Sequence, residues 1–132
     1  MKKLAAIDIG LKRIGFAISL DGKIVLPQNV VIRKNRNQAA NDVSKILKEW
    51  DIETLVVGVP IGGSSEDEMR KRVEHFVKLL DFEGEVFFID ESFSSHEAKE
   101  LTKGKIKQKK DGKIDSIAAA LILERFLESK KW

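Results

Sequence analysis

The stretch LAAIDIGLKRIGFAIS, residues 4–19, contains two apolar segments of strand length that are separated by four residues. The connection at 10–13 begins with glycine and has the length of a β-hairpin loop, so we expect residues 4–9 and 14–19 to pair as antiparallel strands. Asp8 is the exception in the first segment. An ionised carboxylate among apolar neighbours costs several kcal/mol unless a partner compensates it, so Asp8 needs an explanation beyond the fold.

The remaining chain alternates between predicted strands and helices. Pro27 indicates an edge position or a bulge in the third strand, and the uninterrupted apolar run at 54–59 predicts a central strand. An antiparallel start followed by alternation predicts an α/β fold with a five-stranded mixed sheet and helices on both faces. The predicted strands after the hairpin are 24–33, 54–59 and a buried strand at 85–89. Four helices are predicted. The first is capped by Asn35 or Asn37 and has its apolar positions between residues 40 and 50, the second begins at the serine at 64 or 65 and ends at 80, the third begins at the serine at 94 or 95 and ends at 101, and the last covers 114–127.

Composition narrows the class of protein before any site is considered. The chain has 132 residues, of which 42% are hydrophobic and 34% charged, so we expect one domain over residues 1–132 with a real core. It has no cysteine and two histidines, which argues against disulfides, thiolate metal sites and a zinc centre. No apolar stretch approaches the length of a membrane span, so we expect a soluble protein without a membrane partner.

Three acidic residues lie where predicted elements end or begin. Asp8 lies in the first strand, Glu91 follows the apolar run at 86–89, and Asp115 precedes the apolar stretch at 117–123. Ligands of open α/β sheets collect at the carboxyl ends of strands, so these carboxylates can share one site. Three carboxylates suit Mg²⁺ or Mn²⁺ and phosphodiester hydrolysis. Two alternatives stay open, namely Asp90 as the ligand in place of Glu91 and Asp115 as a helix cap.

Basic residues are concentrated in the turn after the first strand and in one later segment. Lys12 and Arg13 are close enough in sequence to Asp8 to contact a phosphate beside it, although a solvated turn is the alternative. Between residues 103 and 113 there are six lysines and one acid, a composition that suits either a phosphate backbone or a solvated loop. The candidate substrate-binding lysines of that segment are Lys105, Lys107, Lys109 and Lys110.

A smaller basic cluster, Arg33, Lys34 and Arg36, lies at the predicted junction of the third strand and the first helix. Solvent exposure without a ligand is the favoured interpretation for it. His75 lies within an amphipathic helical pattern, where a packed or half-exposed histidine is more common than a catalytic one. Neither feature enters the predicted site.

Four segments in register resemble one family. The segment at 8–15, DIGLKRIG, is similar to the opening motif of the YqgF (RuvX) family of ribonuclease H-like proteins. The motifs VGVP at 57–60, Asp90-Glu91 with the serines at 94 and 95, and Asp115 with the alanines at 118 and 119 also resemble that family. The chain departs from the pattern at Ser92, where the family commonly has arginine, so a phosphate contact from that position is not expected.

The resemblance implies a ribonuclease H-like fold, a cytoplasmic protein, and a nuclease that matures the 5′ end of precursor 16S ribosomal RNA, with a ribosomal partner in that process. The family's acidic positions correspond to Asp8, Glu91 and Asp115, which the resemblance implies as catalytic residues and ligands of Mg²⁺ or Mn²⁺. RNA is the favoured nucleic acid. Family members are also called Holliday junction resolvases by similarity to RuvC, so branched DNA stays open as the substrate.

Three other functions stay open on the sequence alone. A junction resolvase cuts two strands symmetrically and so requires a two-fold dimer, and the sequence does not distinguish a monomer from a homodimer. A non-catalytic module that binds nucleic acid or ribosomes would keep the carboxylates without hydrolysis. An ATP-binding protein of the actin and sugar-kinase type has a similar phosphate-binding turn, but those proteins close two such domains around the nucleotide.

Overall fold

The computed structural model describes residues 3–10, 12–59, 66–90 and 113–128. Within these ranges the chain forms five strands and three helices, and their order agrees with the predicted alternation. The elements are β1 Leu4–Ile9, β2 Arg13–Ser19, β3 Leu26–Ile32, α1 Arg36–Glu49, β4 Thr54–Val59, α2 Glu66–Leu79, β5 Glu85–Asp90 and α3 Lys113–Glu128.

The strands form one mixed sheet in the order β3-β2-β1-β4-β5. β2 is antiparallel to β1 and β3, whereas β1, β4 and β5 are parallel to one another. The three parallel strands therefore end on the same side of the sheet. We call the row of their carboxyl ends the carboxyl edge, as distinct from the edge strands β3 and β5, and the turn between β1 and β2 lies there too. The predicted five-stranded mixed sheet is confirmed.

Side-chain alternation gives the sheet two buried faces. In β1, Ala5 and Ile7 pack in the cluster that includes α1 and α2, whereas Leu4 and Ala6 pack against α3. All six residues of β4 are buried, which confirms the predicted central strand covered on both sides. Helices on both faces are thus confirmed. The α3 face buries Ile122, Leu123 and Phe126, and the opposite face buries Val43, Leu47, Val73 and Phe76.

The first helix begins where a local capping motif fixes it. The Asn35 side chain accepts a hydrogen bond from the backbone N–H of Gln38, and the Gln38 side chain accepts one from the backbone N–H of Asn35. This reciprocal capping box satisfies two amide groups that a helix start leaves unpaired. It also decides between the two predicted caps, because Asn37 lies inside the helix.

Two predictions about strands are wrong. β3 begins at Leu26, not at residue 24, because the Asp21 carboxylate accepts hydrogen bonds from the backbone amides of Lys23 and Ile24 at 2.8 and 2.9 Å and holds them in a turn. β5 was expected to be buried, but it is an edge strand and Phe88 is 50% exposed. The edge position indicated by Pro27 is confirmed, since β3 is the other edge of the sheet.

Some predictions fall outside the described residues. These are the helix expected at 94–101, the lysine-rich loop after it, and the serines expected to cap α2. In the part of the chain that the structure describes, no helix combines the length and hydrophobicity needed to cross a membrane.

Candidate functional site

Asp8 lies at the carboxyl edge, as the penultimate residue of β1, and is half-buried. It follows Leu4 and Ala6 in the alternation and therefore lies on the α3 face of the sheet. Its partner on β2 is Gly15, and on β4 Gly58 follows Val57, the partner of Ile7. Because glycine has no side chain, the sheet is open on both sides of Asp8 at its own level.

The start of α3 is tied to the same part of the sheet through Ser116. The Ser116 hydroxyl donates a hydrogen bond to the backbone carbonyl of Gln28 on β3, and it lies 3.5 Å from the backbone nitrogen of Phe16, which donates to it. Phe16 pairs with Ile7, the residue before Asp8. The first turn of α3 therefore lies across β2 and β3 at the level of Asp8.

Asp115 precedes Ser116 and is the third residue of α3. It is inside the helix, so the alternative interpretation as an N-cap is wrong. The fold brings the backbone at Asp115 and the strand residue Asp8 to one end of the sheet, although they are far apart in the sequence.

The turn between β1 and β2 is held by backbone hydrogen bonds and by Arg33. The N–H of Gly10 donates to the carbonyl of Arg13 at 2.9 Å, and the N–H of Arg33 donates to the carbonyl of Lys12 at 2.8 Å. The Arg33 side chain then donates through Nη1 to the carbonyl of Gly10 at 3.0 Å. Lys12 and Arg13 are exposed on this turn, so two cationic side chains lie at the same edge as Asp8.

The role of Arg33 is not predictable from local sequence patterns because its contact with Gly10 spans 23 residues. The one available signal was the position of Arg33 at the end of the strand that pairs with β2. The contact makes Arg33 a positioning residue for the turn that carries Lys12 and Arg13.

Within the described ranges, no basic side chain or hydrogen-bond donor pairs with the carboxylate of Asp8. The same ranges contain no group of three acidic or histidine side chains arranged to hold a metal ion. Glu91 and the candidate lysines at 105, 107, 109 and 110 lie outside the described residues. The structure thus brings together Asp8, the exposed Lys12 and Arg13, and the first turn of α3.

Comparison with solved structures identifies the fold. RuvC of Thermus thermophilus in complex with a Holliday junction substrate superposes with a TM-score of 0.62, at 16% sequence identity, over 99% of each chain. The fowlpox virus Holliday junction resolvase gives a TM-score of 0.58 at 15% identity, over 97% of this chain and 99% of the other. These likenesses show that the chain shares the fold of both proteins, which is the predicted ribonuclease H-like fold.

Sequence comparison identifies much nearer relatives. A protein of Sulfurovum sp. named "Putative pre-16S rRNA nuclease" is 65% identical over 125 residues, which are 95% of this chain and 98% of that protein. A protein of Campylobacter lari with the same name is 64% identical over 94% of this chain and 96% of its own. The model of the RuvX family, described as Holliday junction resolvase, matches residues 2–129. The resemblance found in the sequence is confirmed, and the chain belongs to the RuvX family.

Proposed function

We propose that this protein is a metal-dependent nuclease that hydrolyses a phosphodiester bond during maturation of the 5′ end of precursor 16S ribosomal RNA. The observation that carries the proposal is the position of Asp8 at the carboxyl edge, beside the first turn of α3 and the basic turn with Lys12 and Arg13. The names of relatives that are 65% and 64% identical over nearly the whole chain support the reaction and the RNA substrate.

The proposed metal ligands are Asp8, Glu91 and Asp115. The half-buried carboxylate of Asp8 has no counter-charge among the described residues, and oxygen donors suit Mg²⁺ or Mn²⁺. When bound, such a cation neutralises the charge on the phosphate and lowers the pKa of water. The carboxylates would hold the cation, and the glycines at 15 and 58 leave room beside Asp8 for the phosphate.

The alternation of β5 supports Glu91 over Asp90 as the second ligand. The ring of Phe87 lies 5.0 Å from the ring of Phe126 on α3, and Ile89 packs against the same buried cluster. Odd-numbered residues of β5 thus lie on the face that carries Asp8. Asp90 has the opposite parity in β5 and is therefore disfavoured, so we keep Glu91 as the proposed ligand.

The basic residues complete the proposed substrate site. Lys12 and Arg13 are exposed at the edge where Asp8 lies, and cationic side chains there would bind the phosphates next to the scissile bond. The lysines at 105, 107, 109 and 110 are proposed to add sequence-independent affinity for the backbone, which would weaken with salt. We place the activity in the cytoplasm, in one domain that acts on RNA together with a ribosomal partner.

Resolution of four-way DNA junctions is the second candidate function. The description of the RuvX family model favours it, because that description is Holliday junction resolvase. Symmetric cleavage of a junction requires a two-fold dimer, whereas cleavage of one RNA strand does not. The two candidates therefore differ in substrate, in oligomeric state and in the number of strands cut.

The test is cleavage of two equimolar substrates, a single-stranded precursor rRNA fragment and a four-way DNA junction, with Mg²⁺ or Mn²⁺. We expect metal-dependent cutting of the RNA, and loss of most activity in Glu91→Gln and Asp115→Asn but not in Asp90→Asn. Symmetric cutting of the junction alone would favour the resolvase. Cutting of neither substrate would favour a module that binds nucleic acid without hydrolysing it.

A further inference from the structure

One face of α2 carries a cationic and aromatic group that the proposed catalytic site does not use. Arg72, His75 and Phe76 are spaced at i, i+3 and i+4, so their side chains are neighbours on the helix surface. Arg72 and His75 are exposed, whereas Phe76 is buried beneath them in the core between α2 and the sheet. This face lies beside the end of β3 and the start of α1. Arg33, which follows β3, contacts Phe76, and Arg36, the first residue of α1, contacts His75.

Arg33 connects this face to the basic turn. Its guanidinium carbon lies 5.9 Å from the centre of the Phe76 ring, in the range of a cation–π contact, while its Nη1 donates to the carbonyl of Gly10. Burial lowers the pKa of Arg33, and the nearby charges of Arg36 and Arg72 lower it further. The charges of Arg36, on α1, and Arg72, on α2, therefore both act on Arg33.

Arg36 contacts α2 directly. Its Nη1 lies 2.8 Å from Nδ1 of His75, and since a guanidinium can only donate, Nδ1 is the acceptor in this contact. Arg36 is also the first residue of α1, whose first turn contains no acidic residue. The partial positive charge of a helix start is thus added to that of the arginines.

Few negative charges offset this group. Among the described residues, Glu68 pairs with Arg72 at 2.9 Å, and both side chains are more than half exposed, so solvent screens the pair. No carboxylate is among the groups that shift the pKa of Arg33. Arg33 is held by the Phe76 ring and the Gly10 carbonyl, and Arg36 is held by His75. Guanidinium groups fixed in this way suit a ligand with several anionic oxygens.

We propose that Arg33, Arg36 and Arg72 form a second phosphate-binding site, which holds the RNA backbone next to the segment being cut. Because Arg33 also contacts Gly10, this site is continuous with Lys12 and Arg13 at the carboxyl edge. The inference rests on the proposed function for the identity of the ligand. Phosphate contacts of this kind position a strand and add affinity, without reading its sequence.

The test is binding of a precursor rRNA fragment measured by fluorescence anisotropy without divalent metal, so that no cleavage is needed. Arg36→Gln and Arg72→Gln each remove one charge from an exposed position and are expected to weaken binding about tenfold. The slope of log affinity against log salt concentration should decrease by about 0.7 for each lost contact with single-stranded RNA. Arg36→Lys, which keeps the charge, should restore the slope but only part of the affinity.

The matched control is Lys45→Gln, which removes one charge from an exposed position on α1 about 13 Å further along the helix. It should leave the affinity and the salt slope unchanged. If the double variant with Arg36→Gln and Arg72→Gln behaves like Lys45→Gln, or if the wild-type protein binds no RNA, the inference is wrong. Wild-type protein that binds RNA through these arginines but cuts nothing would keep the second site and refute the proposed function.

Discussion

Substituting Gly10 tests whether cleavage depends on the conformation of the turn between β1 and β2, which carries Lys12 and Arg13. A Cβ added at Gly10 would lie 2.6 Å from the carbonyl oxygen of Arg13, the same oxygen that accepts the Gly10 N–H at 2.9 Å. Ordinary van der Waals contact begins at 3.4 Å, so Gly10→Ala forces the two groups apart by about 0.8 Å. The neighbour is backbone rather than a flexible side chain, so the turn itself must open.

The expected cost is about 1 to 3 kcal/mol of unfolding free energy, because the turn loses one hydrogen bond and gains local strain. Cleavage should fall by more than this loss of stability explains, since Lys12 and Arg13 move away from Asp8. The assay is urea unfolding together with RNA cleavage well below the melting temperature. At that temperature a loss of 1 to 3 kcal/mol leaves most molecules folded.

The control is Gly22→Ala, in the turn at the opposite end of β2. Gly22 has a φ of 78°, a backbone conformation that residues other than glycine rarely adopt. Alanine should therefore cost about 1 kcal/mol there without moving the carboxyl edge. We expect Gly22→Ala to keep wild-type cleavage when folded. If Gly10→Ala and the wild type are equal in both cleavage and stability, the turn accommodates the added Cβ and its conformation does not control cleavage.

Three further predictions concern the fold. Leu123→Ala removes a fully buried side chain beneath α3 and should cost about 3 kcal/mol, whereas Leu79→Ala, at a 40% exposed position, should change the urea midpoint little. Asn35→Ala removes the cap of α1 and should cost about 1 kcal/mol in the same assay, while Asn37→Ala, inside the helix, should be nearly neutral. Backbone N–H groups of Ile24 and Lys23 lower the pKa of Asp21, so its stabilising effect is present above the ordinary carboxyl pKa and is lost as the pH falls below about 4. The difference in free energy of unfolding between the wild type and Asp21→Asn, measured at pH 7 and pH 3, should be smaller at pH 3.

Local patterns in the sequence predicted most elements because short-range physics fixes them. The hairpin followed from two apolar segments and a glycine turn, and the central position of β4 followed from its uninterrupted apolar residues. The predicted start of β3 at residue 24 was wrong because the Asp21 side chain accepts hydrogen bonds from two backbone amides that the pattern assigned to the strand. The predicted burial of β5 was wrong because its position at the edge depends on the order of strands in the sheet, which its own residues do not encode.

The candidate site also contains residues that local sequence patterns indicate and contacts that they do not. Asp8 could be predicted because an acid in an apolar strand is conspicuous, and the basic turn because it follows directly. The contacts of Arg33 with Gly10 and Phe76, and of Arg36 with His75, join residues 23 to 43 positions apart. In the sequence the arginines looked like a solvated cluster, and His75 looked like one residue of an amphipathic helix. Only the packing of α2 beside the end of β3 brings them together.

The most direct test of the proposed nuclease is the single-turnover rate of RNA cleavage by wild-type protein and Asp8→Asn at saturating RNA and Mn²⁺. Asparagine keeps the size of the side chain and removes its charge, so the fold and RNA binding should be unchanged. We expect the wild-type protein to cut the precursor rRNA only with the metal and Asp8→Asn to lose at least about 100-fold in rate. A wild-type rate in Asp8→Asn would show that this carboxylate takes no part in the reaction.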